Sequence, residues 1–254
     1  MPAINGAAWL ALSAMFLALL TASASTNVVT RAEKVITDED RQHWSYLPLG
    51  SPPLPAVQST GFVRTPVDRF ILRALEARAL TLSPEADARK LVRRTYFDLT
   101  GLPPTPEQVD SFLKRYAIDP QAAVESLVDQ LLASPQYGER WARHWLDVAR
   151  YADSDGQESD ADRPTAYHYR DFVIRAFNDD LPFDTFVRWQ LAGDELEPDN
   201  PLAIAATGFI VAGTHAVLDV PMEEEKLFNR FNELDDMIST TGSAMLGMTL
   251  ACVR

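Results

Sequence analysis

The sequence predicts an all-α fold, an irregular bundle of several helices behind an extended, proline-rich N-terminal arm, with little or no β-sheet. Two observations predict it. A Ser, Thr, Asp or Asn repeatedly stands before a proline, and apolar residues recur three and four positions apart in the segments behind those pairs. A side-chain oxygen at a helix N-cap accepts a free backbone N–H, and proline suits the first helical position because it has no N–H there to satisfy. No segment shows the strict apolar–polar alternation of a half-buried strand.

The predicted helix starts share this cap-proline pair: Thr65-Pro66, Ser83-Pro84, Thr105-Pro106, Asp119-Pro120, Ser134-Pro135 and Asn200-Pro201. Apolar stripes of helical period follow, for example Leu91, Val92, Tyr96 and Leu99, then Leu127, Val128, Leu131 and Leu132, then Trp141, Trp145 and Ala149, then Phe183, Phe186, Val187 and Leu191. The last stripe, Leu227, Phe231, Leu234, Ile238, Thr241 and Met245, alternates spacings of four and three. That spacing is typical of a seam between two helices.

The N-terminus predicts export. The first thirty residues carry no charged side chain, and an apolar run from Trp9 to Leu20 precedes Ala22 and Ala24. An apolar core of this length before an Ala-x-Ala sequence is typical of a secretory signal peptide. The expected organisation is a signal peptide over 1–24, an extended arm over 25–62, a helical domain over 63–254, and an extracytoplasmic location, either periplasmic or secreted. An uncleaved anchor is the alternative, since no Lys or Arg precedes the apolar run, although the run is short for a membrane span.

Charge and cysteine content exclude several classes of protein. A net charge of −13 argues against binding to nucleic acid or to an anionic membrane surface. With Cys252 as its one cysteine, the chain has no internal disulfide. The histidines lack the spacing of a zinc site, and no nucleophile elbow or phosphate-binding glycine loop is present. The sequence therefore shows no familiar catalytic signature.

An acidic segment after the stripe of Trp141, Trp145 and Ala149 is the candidate site, with Asp153, Asp155 and Glu158 as its oxygen donors. Carboxylates so closely spaced suit a hard cation such as Ca²⁺, and a glycosidase also requires a pair of them. A solvated acidic loop is the alternative. His144, beside the apolar stripe, suits a haem or stacking role or an ordinary core position.

Seven motifs occur in a fixed order: His43-Trp44-Ser45-Tyr46, Thr65-Pro66-Val67-Asp68-Arg69-Phe70, Arg93-Arg94-Thr95-Tyr96-Phe97-Asp98-Leu99-Thr100-Gly101-Leu102-Pro103-Pro104, Ser134-Pro135-Gln136-Tyr137-Gly138-Glu139-Arg140-Trp141, Tyr151-Ala152-Asp153-Ser154-Asp155-Gly156, Tyr169-Arg170-Asp171-Phe172-Val173-Ile174 and Gln190-Leu191-Ala192-Gly193-Asp194. Their order resembles the planctomycete cytochrome-associated domain of unknown function, over nearly everything after residue 40. In relatives a second cysteine and a histidine come directly after the position of Arg254, which completes a Cys-x-x-Cys-His motif. The resemblance therefore implies that Cys252 is the first cysteine of an incomplete c-type haem motif. It implies haem c for full-length relatives and no covalent haem for this chain as it stands.

Three functions are compatible with these observations. The first is an exported helical domain of a haem-linked, electron-transferring assembly. The second is an extracytoplasmic enzyme that acts on polysaccharide through the acidic loop at 153–162. The third is a non-catalytic scaffold that binds a partner protein or a continuation domain through the arm around Trp44 and the late helix at 222–245.

Overall fold

The computed structural model describes residues 35–156, 160–215 and 222–250. Within those ranges the regular elements are helices, and the only β-type pairing is an isolated antiparallel bridge between Ser154 and Asp162. The predicted all-α class is confirmed. No helix of the described ranges is long and apolar enough to cross a membrane. Contacts divide the chain between Leu82 and Ser83 into two units, and each is described by itself.

The first unit is an extended arm with short helical segments. Helix α1 covers Asp38–Arg41, and α2 covers Pro66–Glu76. The carboxylate of Glu76 accepts the backbone N–H groups of Gln58 and Ser59, both at 2.9 Å, so the arm folds back onto the end of α2. These donors lower the pKa of Glu76. The large aromatic side chains of the arm are exposed, Trp44 by 79% and Tyr46 by 70%.

The second unit begins with three helices around one small core. Helix α3 covers Ala88–Thr100, α4 covers Pro106–Tyr116 and α5 covers Pro120–Leu132. Their buried residues include Val92, Tyr96, Phe112, Leu127 and Leu131. Of the eight apolar positions named for these stripes, four are therefore buried and three are partly buried, whereas Leu132 is exposed. The predicted helix start at Thr105-Pro106 has a full capping box: Gln108 N–H donates to Thr105 Oγ1, and Thr105 N–H donates to Gln108 Oε1.

The start of α3 differs from the prediction. Ser83-Pro84 lies in an extended segment, and the helix begins four residues later, where Asp87 accepts the N–H of Lys90 at 2.9 Å. Aspartate is as strong an N-cap as serine, and the residues behind Asp87 are the first with an apolar face to bury. The Ser-Pro pair was therefore the wrong start signal here.

The other core is aromatic. Helices α6 (Pro135–Val148), α7 (Tyr167–Asn178), α8 (Phe183–Leu196), α9 (Pro201–Ala206) and α10 (Gly208–Val211) surround Phe172, Phe186 and Phe209. Two glycines of this core allow close approaches between its elements. A methyl group at Gly193 would overlap the carbonyl of Ala203, and one at Gly208 would overlap the ring of Tyr169. The predicted stripe of α8 is only half right, because Phe186 is buried while Phe183 and Leu191 are exposed.

Helix α11, Glu223–Leu246, is turned relative to the expectation for a surface helix. Its last two turns bury Thr240 and pack Ala244 and Met245 against the aromatic core. Over the first four turns the apolar residues Leu227, Phe228, Phe231, Leu234 and Ile238 lie on the outside. A polar face therefore points towards the body of the unit, and that face forms one wall of a cleft.

Candidate functional site: a charge-paired cleft

A cleft of about 690 Å³ gathers the charged side chains of the second unit. Its walls are the loop at 151–166, the first turn of α7, helix α10 with the loop that follows it, and the polar face of α11. Among the side chains that line it are Tyr151, Asp155, Arg163, His168, His215, Arg230, Glu233 and Asp236. Four separate segments thus supply polar groups to one concave surface, which is the usual construction of a ligand site.

Backbone bonds shape the loop that forms the first wall. Asp155 N–H donates to Ala161 O at 2.8 Å, and Arg163 N–H donates to Asp153 O at 2.8 Å, on either side of the Ser154–Asp162 bridge. Gly156 has φ 70°, which an L side chain rarely adopts, and its N–H donates to Asp160 Oδ1. Residues 153–156 and 160–163 are therefore held against each other by hydrogen bonds.

Arg163 fastens this loop to the end of α10. Its Nε lies 2.5 Å from Asp155 Oδ1, and both side chains are largely buried, 16% and 13% exposed. The remaining guanidinium nitrogens donate to the carbonyl oxygens of Val211, Ala212 and Gly213 at 2.7–3.3 Å. The planar guanidinium group of arginine suits this pattern, because one side chain can bond a carboxylate and several carbonyl groups at the C-terminal end of a helix at the same time.

A second ion pair holds Asp236 of the cleft wall, and its Arg150 and Asp236 side chains are 26% and 43% exposed. Arg150, in the left-handed conformation at φ 61°, pairs through Nη1 with the carboxylate of Asp236. Burial lowers the pKa of Arg150. Gly213 is required here, since a methyl group at that position would overlap both partners. Among the described residues no acceptor is bonded to Nε or Nη2 of Arg150, which are buried.

The third cluster of charged side chains is the one that can take up a proton. His215 Nδ1 lies 2.6 Å from Glu233 Oε1, and Arg230 Nη1 lies 3.4 Å from Glu233 Oε2. The Glu233 side chain is 13% exposed, whereas that of His215 is 57% exposed. When Nδ1 donates to the carboxylate, the other ring nitrogen is the acceptor, and the carboxylate stabilises the imidazolium that forms. The pair can therefore take a proton from a ligand or a water molecule.

A cluster of hydrogen-bonded polar side chains lies below the cleft. The amide oxygen of Gln190 accepts from Trp145 Nε1 at 2.7 Å and from the Tyr169 hydroxyl at 2.8 Å, and its amide nitrogen donates to Phe186 O. Gln190 is fully buried. Burial raises the pKa of Tyr169 well above its usual range. Burial, with a hydrogen bond to Asp153, raises the pKa of Tyr151 to about 12.

The site residues predicted from the sequence lie in different surroundings. Asp155 is held by Arg163, and Asp153 accepts from the Tyr151 hydroxyl at 2.5 Å. Glu158 and Cys252 lie outside the described residues. Across the part of the chain that is described, no group of three or more His, Cys, Asp or Glu side chains is placed to hold a metal ion. The cation site at Asp153, Asp155 and Glu158 therefore stays a prediction.

Sequence reasoning missed the residues opposite the acidic loop. Arg230, Glu233 and Asp236 recur every three positions along α11, running from the flank of its apolar seam at Arg230 to the opposite side at Asp236. That spacing is visible in the sequence and indicates one polar helical face. Which neighbour the face meets depends on tertiary packing, so the cleft could not be assembled from the sequence. His168 lines the cleft, while His144 lies exposed on α6 with its ring 5.3 Å from that of Trp141.

Comparison with known proteins identifies the family. No curated protein and no solved structure matches the chain. Residues 66–254, about three quarters of the chain, match the sequence profile of PSCyt2, described as a protein of unknown function (DUF1549). The match includes every wall of the cleft and begins later than residue 40, where the motif resemblance starts. The chain belongs to the PSCyt2 family of proteins of unknown function.

Proposed function

We propose that the chain is an exported protein whose cleft binds an uncharged, hydroxyl-rich ligand, of the kind that a short segment of polysaccharide presents. The observation that carries the proposal is the internal pairing of most of the charged side chains at the cleft. Arg163 is paired with Asp155, Arg150 with Asp236, and Glu233 with both His215 and Arg230. Paired charges offer many donors and acceptors but little net attraction for an anion or a cation, so they favour a neutral polar ligand.

Size and lining support the same class of ligand. The volume of about 690 Å³ falls within the range of roughly 300–1,000 Å³ that small-molecule sites occupy. Tyr151 and His168 place rings on the wall beside the polar groups. A sugar has apolar C–H faces and hydroxyl edges, so it suits a surface that alternates rings with fixed donors and acceptors.

Calorimetric titration tests the proposal. Maltotriose, cellotriose, laminaritriose and xylotriose are compared with trigalacturonate, which has similar size and carries carboxylates. We expect at least one neutral trisaccharide to bind and trigalacturonate to bind more weakly. Preference for trigalacturonate, or no binding by any trisaccharide, would contradict the proposal.

A matched pair of histidine variants locates the binding. His168→Ala removes a ring from the cleft wall, whereas His144→Ala removes an equally exposed ring from α6, outside the cleft. We expect the first to weaken binding about tenfold, which corresponds to a loss of about 1.4 kcal/mol. The second is expected to leave the affinity unchanged. Equal effects of the two substitutions would place the ligand elsewhere.

A catalytic role for the same cleft rests on the His215–Glu233 pair. If the bound glycan is hydrolysed, His215→Gln is expected to lower kcat by a factor of about 10²–10⁴, the usual contribution of a positioned base. Asp155→Asn tests the acidic loop in the same assay. Because Asp155 is paired with Arg163, we expect the substitution to lower the stability of the protein and not to remove a group that transfers a proton.

A haem-linked role is the second candidate, and it is supported by the motif resemblance and by the position of Cys252, five residues after Gly247 ends helix α11. As it stands the chain has one of the three groups that c-type attachment uses. We expect no covalent haem in this chain. A version extended by Cys-His is expected to show a Soret band when it is expressed with cytochrome maturation enzymes. Its absence would contradict this candidate and leave the cleft proposal untouched.

A further inference from the structure

The first four turns of α11 expose an apolar seam made of Leu227, Phe231, Leu234 and Ile238, with Phe228 beside it. Leu227, Phe231 and Ile238 are each 57–59% exposed. The opposite face of the same turns carries Glu233 and Asp236, which are committed to the cleft. The helix cannot rotate to bury the seam without removing those acids from His215 and Arg150. The exposure is therefore fixed by the cleft.

The seam and the adjoining Phe228 form one exposed apolar surface. Their five side chains are exposed by 36–60%, and contiguous apolar patches on soluble proteins often mark interaction sites. Specific interfaces bury about 1,000 Å² or more in total, so a patch of five side chains on each of two copies is expected to lie near the lower end of that range.

The spacing of the seam fits one kind of partner. Positions 227, 231, 234 and 238 alternate by four and three residues, which keeps the stripe straight along a second helix that supercoils with the first. Thr241 and Met245 continue the pattern, but they are partly buried against the unit's own core. The free seam is therefore less than two heptads long, and we expect an association in the micromolar range rather than a permanent one.

We infer that the seam binds the same helix of a second copy of this chain, in parallel. Charge complementarity carries the choice of partner and direction. Arg230 flanks the seam on one side and Asp235 on the other, five residues further along. In a parallel pair these flanks face each other across the seam, so Arg230 of each copy lies opposite Asp235 of the other. By symmetry the dimer has two such contacts. In an antiparallel pair each flank meets its own kind, and neither contact forms.

Sedimentation equilibrium of the full chain tests the inference. The unmodified protein is expected to dimerise at micromolar concentration. Phe231→Glu places a charge in the middle of the seam and is expected to raise the dissociation constant about 30-fold or more, the effect of losing a central apolar anchor. Ile118→Glu is the matched control, because Ile118 is a large apolar residue that is 87% exposed outside α11. Circular dichroism of both variants checks that helicity is unchanged.

Two further variants test the direction of pairing. Arg230→Glu and Asp235→Arg are each expected to weaken the dimer, and the double exchange is expected to restore it, since the two flanks are then complementary again. In a Cys252→Ser background, Leu227→Cys is expected to form a disulfide between copies, because Leu227 meets itself only in a parallel pair. A protein that is monomeric at all accessible concentrations, a dimer that Phe231→Glu leaves intact, or no cross-link at position 227 would each overturn the inference.

Discussion

At the scale of single residues, the chain depends on a few buried polar side chains with several partners each. Gln190 is the clearest example, since it joins α8 to Trp145 of α6 and Tyr169 of α7. Gln190→Leu roughly keeps the volume but removes the acceptor of the buried Tyr169 hydroxyl, and it leaves the Trp145 indole N–H only its longer bond to that hydroxyl, at 3.1 Å. We expect a loss of about 2–3 kcal/mol in the free energy of unfolding, measured by urea denaturation. Gln121→Leu, which removes an exposed amide that bonds Glu125, is expected to change it by less than about 0.5 kcal/mol.

The two tyrosines near the cleft predict a loss of stability in alkali. The pKa of Tyr151 is raised to about 12 and that of Tyr169 is raised further, whereas an unfolded tyrosine ionises near 10. A group whose pKa is higher in the folded state stabilises the fold below its unfolded pKa. This contribution is therefore complete below pH of about 10 and is lost as the pH rises towards about 12.

Tyrosinate absorbance and urea denaturation across that pH range measure the effect together. Tyr169→Phe, which lacks the ionising hydroxyl, is expected to flatten the alkaline decline although it loses the bond to Gln190. A decline of the same steepness in Tyr151→Phe and Tyr169→Phe as in the unmodified chain would contradict the assignment.

Residue roles were predictable where they depend on local sequence. Thr105 and Gln108 form the capping box that their spacing indicates. The role of Arg163 was not predictable, because its partners are the neighbouring Asp155 and three carbonyl groups about fifty positions away. A long-range acceptor of that kind leaves no periodic or compositional signal.

At the scale of helices, two cap-proline starts that look alike in the sequence differ in the structure. Thr105 accepts the N–H of Gln108, whereas the Ser134 hydroxyl donates to the side chain of Gln136 and caps no backbone group. We expect Thr105→Ala to lower the free energy of unfolding by about 1 kcal/mol and Ser134→Ala to lower it by much less. Urea denaturation of both variants measures this difference, and equal losses would contradict the assignment of the cap.

The existence of helices was easier to predict than the face each one buries. The periods of α3 and α5 identify residues such as Val92 and Leu127 that are fully buried. The seam of α11 has equally regular spacing and lies outside, since period alone does not say whether a partner comes from the same chain. At α8 the fully buried Gln190 takes a core position beside exposed Leu191, because two partners satisfy its amide. Hydropathy assigns those two residues the other way round.

At the scale of the whole molecule, the predicted leader sets a test that the described residues do not address. The charge-free apolar run before Ala22 and Ala24 predicts cleavage after Ala24, so the mature chain is expected to begin at Ser25. Mass spectrometry of protein recovered from the periplasm or medium of an expressing bacterium measures the N-terminus directly. Recovery of uncleaved protein in the membrane fraction would support the anchor alternative instead.

The central claim is that the charge-paired cleft is a binding site for a neutral glycan, and amide chemical-shift mapping tests it most directly. Titration with the tightest-binding neutral trisaccharide is expected to move signals from 151–169, 208–215 and 230–237 in a saturable way. Signals around Arg93 and Arg140, which line a separate surface depression, are expected to stay in place. Saturable shifts confined to that second depression, or no saturable shift with any neutral trisaccharide, would contradict the account.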